Sequence, residues 1–212
     1  ELFYQVQVDT KAHRKVGLEA LIRWNHPEKG LISAGNFIPV AEEIGLMPEI
    51  THWVLETACR DLRSWWDSAL AVERVAINVS PCVLETTEFL DRLFDALDRY
   101  RIPCRNFEIE VTENTFIGDR GSVAECLRQI SAKGIRVAID DFGTQYSSLS
   151  YLRHLPINTL KIDQSFVREI GSVNDVSPIV CAIIGIADGL GLHVVAEGVE
   201  TEVQAQFLHR LG

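Results

Sequence analysis

The chain is short of positive charge. Its 212 residues carry 20 lysines and arginines against 30 aspartates and glutamates, a formal net charge of -10. A general nucleic-acid binder needs a basic face for the phosphate backbone, so the balance argues against a nucleic-acid polymer as partner. A small anionic ligand stays open if cations are concentrated in one pocket. Clustered cysteine is also missing. Cys59, Cys82, Cys104, Cys126 and Cys181 are an odd five, widely spread, with no Cys-x-x-Cys. They read as thiols in a reducing, cytoplasmic compartment rather than a disulfide framework. The six histidines are scattered too, and a His/Cys zinc site is not expected. No apolar run reaches the roughly 18 residues of a membrane span, and no signal-peptide pattern is visible. Low-complexity segments, repeats and linkers are absent from the sequence as well. What remains is 47% hydrophobic and 24% charged residues, ordinary for one globular domain with a sizeable core. The chain opens in a strand-like stretch and stops at Leu211-Gly212 after a helical pattern. It reads as a single domain, 1–212, excised from a longer protein.

Hydrophobic periodicity divides the chain into alternating elements. Strands are expected at 2–8, 16–23, 73–79, 106–111, 135–140, 157–162 and 192–196. Helices are expected at 36–44, 48–67, 87–99, 121–132, 147–152, 176–189 and 201–211, and the stretch around Pro27 and Gly30 reads as a loop. On the second helix Ile50, Trp53, Val54, Ala58, Leu62 and Trp65 share a 3.6-residue stripe, so Trp53, Trp65 and Trp66 are assigned to packing. Alternation on this scale means an α/β domain with a mostly parallel sheet, either open and doubly wound or closed as a barrel.

Polar residues at strand ends favour the barrel. Glu19, Asn78, Glu110, Lys161 and Glu197 each close a strand on the parity opposite its apolar residues. A strand covered by helices on both faces should be apolar on both. A barrel strand turns one face to a lumen and can carry polar groups near its C-terminal end. The stretch Val137-Ala138-Ile139-Asp140-Asp141-Phe142-Gly143-Thr144 adds two adjacent carboxylates where an apolar run stops at a glycine turn. Buried side by side, they are costly unless a cation sits there. Five carboxylates, an amide and one ammonium at one mouth suit hard cations such as Mg²⁺, Mn²⁺ or Ca²⁺. Two such ions about 3.5–4 Å apart are the standard arrangement for phosphodiester hydrolysis. Lys161 then orients water or meets developing negative charge. Two other roles for it stay open: a structural ion pair with Asp140 or Asp163, and a Schiff-base nucleophile, which surrounding acids disfavour.

Glu19-Ala20-Leu21 with Ile22-Arg23-Trp24 resembles the signature of the EAL-domain family of bacterial cyclic di-GMP phosphodiesterases. The same order and spacing continue through Asn78-Val79-Ser80-Pro81, Glu110-Val111-Thr112-Glu113, Asp140-Asp141-Phe142-Gly143-Thr144, Lys161-Ile162-Asp163 and Glu197-Gly198-Val199-Glu200-Thr201. The resemblance implies a modified TIM barrel with an antiparallel first strand and hydrolysis of cyclic di-GMP to linear pGpG. It implies Glu19, Asn78, Glu110, Asp140 and Asp141 as ligands of two Mg²⁺ or Mn²⁺ ions, with Ca²⁺ inhibiting. Glu197 and Lys161 then stand at the attacking water, Glu113 anchors the loop after Asp141, and Gln5, Leu21, Arg23 and Glu200 contact substrate. Arg23 would meet a phosphate, and Gln5 and Glu200 guanine. A homodimer coupled through the loop 141–148 is implied, as is a flanking sensor or diguanylate-cyclase-like domain. No membrane contact is expected of this domain, while the full-length protein stays open to an anchor.

Three departures stand out. Gln145 replaces a common glycine, Val6 replaces a common proline, and the family's final strand lies beyond Gly212. On the first and third rests the alternative function, a catalytically impaired cyclic di-GMP receptor.

Overall fold

The computed structural model describes residues 1–116, 121–144, 152–172 and 177–212. Its sheet runs through β1 (Leu2–Asp9), β2 (Arg14–His26), β4 (Val75–Asn78), β5 (Phe107–Thr112), β6 (Arg136–Phe142), β7 (Thr159–Ile162) and β8 (His193–Ala196) in that order, and β3 (Gly30–Ser33) pairs off the path with β2. β1 and β3 run antiparallel to β2, and every later pairing is parallel. The antiparallel first strand expected from the family resemblance is therefore present. Among the described residues β8 does not pair with β1, so the sheet is a curled half-barrel.

The curl follows from one contact. β2 and β7 are four inter-strand steps apart, which a flat sheet would place about 19 Å from each other. Yet Lys161 on β7 reaches Glu19 on β2 at 3.1 Å. Only a sheet rolled toward its own inner face brings those side chains together.

The outer face carries the core. Val75, Ile77, Phe107, Ile109, Val111, Val137, Ile139, Leu160 and Ile162 are all buried there. They form one cluster with Leu55, Ala58 and Leu62 of α2 (Met47–Asp67), Leu93 and Leu97 of α4 (Thr87–Tyr100), Leu127 and Ile130 of α5 (Gly121–Ala132). Val180 and Ile183 of α7 (Pro178–Leu190) and Phe207 of α8 (Glu202–Leu211) complete it. Each large apolar side chain so buried stabilises by about 1.5–3 kcal/mol relative to exposure. Three short or early helices join these: α1 (Ala34–Glu43), α3 (Pro81–Leu84) and α6 (Gln164–Arg168).

Several expectations need correction. The stretch around Pro27 and Gly30 is a hairpin, because β2 continues to His26 and pairs with β3. α3 and α6 had no periodicity long enough to read. Trp53 is 43% exposed and lies outside the core cluster. The buried stripe of α2 runs through Thr51, Val54, Leu55, Ala58 and Leu62, and Trp53 points off it. Trp65 and Trp66 do pack, Trp65 edge-on to Tyr4 at 4.7 Å and Trp66 donating to the Val72 carbonyl at 2.8 Å. The expected helix at 147–152 falls almost wholly outside the described residues, as does Gln145.

Candidate functional site

β5 shows how the strands sort their side chains. Phe107, Ile109 and Val111 face the helices, so Glu108 and Glu110 face the lumen although both are buried. The same alternation sends Glu19 of β2, Asp140 of β6 and Lys161 of β7 inward. Register places Glu110 beside Asn78, and Asp140 beside Thr112.

A regular strand cannot aim both Asp140 and Asp141 at the lumen, because successive side chains alternate. β6 resolves this with a bulge. Ile139 lies opposite Leu160 but Phe142 lies opposite Ile162, three steps on β6 against two on β7. Asp141 takes φ 54 there, a left-handed conformation that aspartate tolerates better than most residues. Its amide donates to Asp140 Oδ1 at 2.9 Å, and its carbonyl accepts from Thr144 Oγ1 at 2.8 Å. Gly143, at φ 95, then donates its amide to Glu113 Oε2 at 3.0 Å. That bond ties Glu113 to the turn that follows Asp141.

Lys161 is the hub. Its side chain is 1% exposed, and Nζ lies 2.6 Å from Glu110, 2.6 Å from Glu197, 3.1 Å from Glu19 and 3.2 Å from Asp140. Asn78 Nδ2 donates to Glu19 Oε1 at 2.9 Å. Burial alone would lower the Lys161 pKa, but Glu110, Asp140, Glu19 and Glu197 outweigh it and hold the ammonium charged. Of the two ion pairs considered from the sequence, Asp140 is a partner. Asp163 instead caps α6, accepting from the Ser165 amide at 3.0 Å, and hydrogen-bonds Asp141.

One ammonium does not balance this many acids. Burial, then the neighbouring Glu19 and Asp140, push Glu110 well above the usual carboxylate range, against the pull of Lys161. Burial, with Asp140 and Asp163, raises Asp141 to about 6. Burial raises Glu197 to about 7 despite Lys161. Such a crowd calls for additional positive charge. One oxygen each of Glu19, Glu110 and Asp140 lie within 4.8 Å of one another, and so do those of Asp140, Asp141 and Glu197. Two oxygen triads thus share Asp140. Glu110 Oε1 is buried without a hydrogen-bond partner, a donor left free for a cation. The all-oxygen set fits hard divalent ions.

Of the four residues expected to contact substrate, three line a cavity shared with this centre. Gln5 lies directly across the β1–β2 ladder from Glu19. Gln5, Leu21 and Glu200 line one cavity of about 2240 Å³ with Glu19, Asn78, Glu110, Asp140, Asp141 and Glu197. Arg23 does not line it; its guanidinium donates to the Ile22 carbonyl at 2.8 Å.

Two features escaped the sequence reading. Glu108 belongs to a separate ionic layer at the opposite end of the lumen, with Arg74 Nε at 2.5 Å and Arg136 Nε at 3.9 Å. Gln204 is buried and closes a capping box with Thr201. The spacing Thr201-x-x-Gln204 was its available signal.

The family model for the EAL domain matches residues 1–212. The bifunctional diguanylate cyclase/cyclic di-GMP phosphodiesterase MucR of Pseudomonas aeruginosa is 44% identical over 211 residues, 100% of this chain and 31% of that protein. A second cyclic di-GMP phosphodiesterase of that organism is 39% identical over 211 residues, 100% of this chain and 36% of that protein. The chain therefore spans about a third of the length of these relatives. Among solved structures, the PaMucR phosphodiesterase in complex with c-di-GMP aligns with a TM-score of 0.93 at 43% identity, covering 100% of this chain and 86% of that one. The EAL enzyme Bd1971, bound to cAMP and cyclic di-GMP, aligns with a TM-score of 0.92 at 34% identity, covering 100% and 58%. Sequence and fold agree, and the chain belongs to the EAL domain family.

Proposed function

We propose that this domain hydrolyses cyclic di-GMP to linear pGpG, using two Mg²⁺ or Mn²⁺ ions held by Glu19, Asn78, Glu110, Asp140 and Asp141. The observation that carries the reading is the pair of oxygen triads sharing Asp140 around a buried ammonium. It occurs in a chain whose relatives are named as phosphodiesterases of this substrate. Ions held there supply activation of water and neutralisation of the phosphodiester charge.

The protein's own groups do the rest. Lys161 holds Glu19, Glu110, Asp140 and Glu197 in one converging orientation, and its charge opposes the negative charge that develops on phosphate. Its four acidic neighbours argue against an imine-forming lysine, which needs a depressed pKa. Glu197, which follows β8, orients the attacking water and accepts its proton. Gln5 and Glu200 take the guanine, Leu21 packs on the ligand, and Arg23 swings from the Ile22 carbonyl to a phosphate. Glu113 anchors the turn that carries Asp141. The longer relatives support the expectation of flanking domains, including a diguanylate-cyclase-like one; a homodimer belongs to the same proposal.

Turnover of cyclic di-GMP with Mn²⁺, with chelator and with Ca²⁺ tests the reading. Hydrolysis is expected with Mn²⁺ alone, and Glu19→Ala should abolish it. Cleavage that persists in chelator or in that variant overturns the two-metal site. Tight binding without turnover assigns a receptor instead.

A further inference from the structure

Glu197 and Glu200 ride on the loop that follows β8, and that loop has little regular structure of its own. The Glu197 amide donates to the Ile162 carbonyl at 3.1 Å. Beyond it, among the described residues, one side chain accepts from the loop amides. Gln204 Oε1 accepts from the amides of Glu200 at 2.8 Å and Thr201 at 3.0 Å. Its Nε2 donates to the Val167 carbonyl at 3.2 Å, at the end of α6. Its own amide donates to Thr201 Oγ1 at 3.3 Å. Gln204 is 6% exposed, so these bonds are shielded from competing water. Gly198 fits the same arrangement. At φ 64 it lies so close to α6 that a Cβ would stand 2.7 Å from Gln164 Cβ.

An ordinary capping box needs only the bonds between Thr201 and Gln204. Here the carboxamide does more. It bridges the loop to α6, the helix that directly follows Lys161, Ile162 and Asp163. The loop carrying Glu200 is thereby pinned to the strand end carrying Lys161. Glu200 is exposed and lines the cavity, so its direction depends on where its backbone is held.

We infer that Gln204 is a positioning residue that fixes Glu200 for substrate recognition without touching substrate itself. The inference rests on the proposed phosphodiesterase reading and deepens it. Losing the carboxamide leaves two loop amides unpaired, and the loop should sample other directions. Binding of the substrate then suffers more than the chemical step, which Lys161 and the triads control.

The test compares Gln204→Leu and Gln204→Glu with the parent domain and with Glu200→Ala. Gln204→Leu should raise the KM for cyclic di-GMP about tenfold while kcat stays within about threefold. Gln204→Glu keeps the acceptor oxygen for both loop amides but loses the donor to the Val167 carbonyl, so its KM should fall between those of the parent and Gln204→Leu. In the Glu200→Ala background, Gln204→Leu should add less than about twofold, because the two act through one contact. Amide exchange at Glu200 and Thr201 should quicken in Gln204→Leu. If Gln204→Leu does not fold, Gln204→Asn withdraws the same carboxamide and replaces it. An unchanged KM, equal damage from the leucine and glutamate variants, or full additivity with Glu200→Ala overturns the inference while the parent still turns over. A parent that neither binds nor cleaves cyclic di-GMP removes the phosphodiesterase reading itself.

Discussion

Replacing Lys161 by methionine keeps the unbranched stem and removes the charge. The Lys161 side chain is 1% exposed, and its ammonium lies within 3.2 Å of Glu19, Glu110, Asp140 and Glu197. Deleting one partner of a buried ion pair costs about 3–5 kcal/mol. One ammonium serving four acids would cost more if the acids stayed ionised. They can take up protons instead, which limits the loss to about that range. For a domain of this size the melting temperature in chelator should fall by about 6–20 °C. Added Mn²⁺ should then raise it further in Lys161→Met than in the parent, because the cation enters a more negative cluster. Turnover should be lost in both conditions. The assay is a thermal melt of both proteins at pH 8, in EDTA and in excess Mn²⁺. Equal melting temperatures in EDTA would refute the role of Lys161 as the counter-charge. Equal Mn²⁺-induced shifts would place the cation somewhere other than among these carboxylates.

The bulge at Asp141 predicts that Asp141→Gly is more stable than Asp141→Ala by about 1 kcal/mol, since only glycine relaxes at φ 54. Denaturant midpoints of the two inactive variants check it, and identical midpoints would count against a strained bulge. Gly198→Ala forces a Cβ to within 2.7 Å of Gln164 Cβ at φ 64. It should lose about 1–3 kcal/mol, and an unaltered midpoint would contradict the close approach. Thiol labelling at pH 8 should modify exposed Cys82 at once. Burial pushes Cys59 up to about 12 and Cys126 up to about 11, so little thiolate exists there and both should react only on unfolding. Prompt labelling of Cys59 in the native protein would break that assignment.

The strands and their inward parity were legible because period 2 survives in short apolar runs. Glu19, Glu110 and Lys161 could be put on one face from that alone. Asp141 could not, because adjacent residues on a regular strand point apart, and only the bulge between Ile139 and Phe142 reverses this. The β3 hairpin was hidden because Gly30 and Pro27 read as turn residues, while the pairing of Arg23 with Ser33 and of Trp24 with Ile32 is set by tertiary context. Exposure of Trp53 was missed for a similar reason: its position in sequence lies at the margin of the buried stripe, and only the neighbours of α2 decide which margin is covered. Gln204 left a capping signal in the sequence, but its bond to Val167 joins positions 37 residues apart, beyond any local pattern.

Glu108 and Glu110 show how far parity can and cannot go. They sit two residues apart on β5, face the same lumen and are equally buried. Their surroundings differ in sign. Glu108 meets two guanidiniums, Arg74 and Arg136, and Gln7 Oε1 accepts from Arg74 at 3.2 Å. Arg136 is already lowered in pKa by burial and by Arg74, with Glu108 opposing that shift. Glu110 shares a single ammonium with three other carboxylates. The lower layer therefore has cation in excess and the upper layer has acid in excess, so neutralising the two residues should have opposite effects. Glu108→Gln leaves two partly buried guanidiniums without a counter-charge and should cost about 1–3 kcal/mol, with Mn²⁺ affinity unchanged. Glu110→Gln removes repulsion and still offers Lys161 an oxygen, so stability in chelator should hold or rise while Mn²⁺ affinity falls. Calorimetric metal titration beside denaturant unfolding separates the two. If Glu110→Gln destabilises the chelated protein as much as Glu108→Gln does, the upper cluster is a structural ion-pair network, and the case for a cation site among those carboxylates is lost.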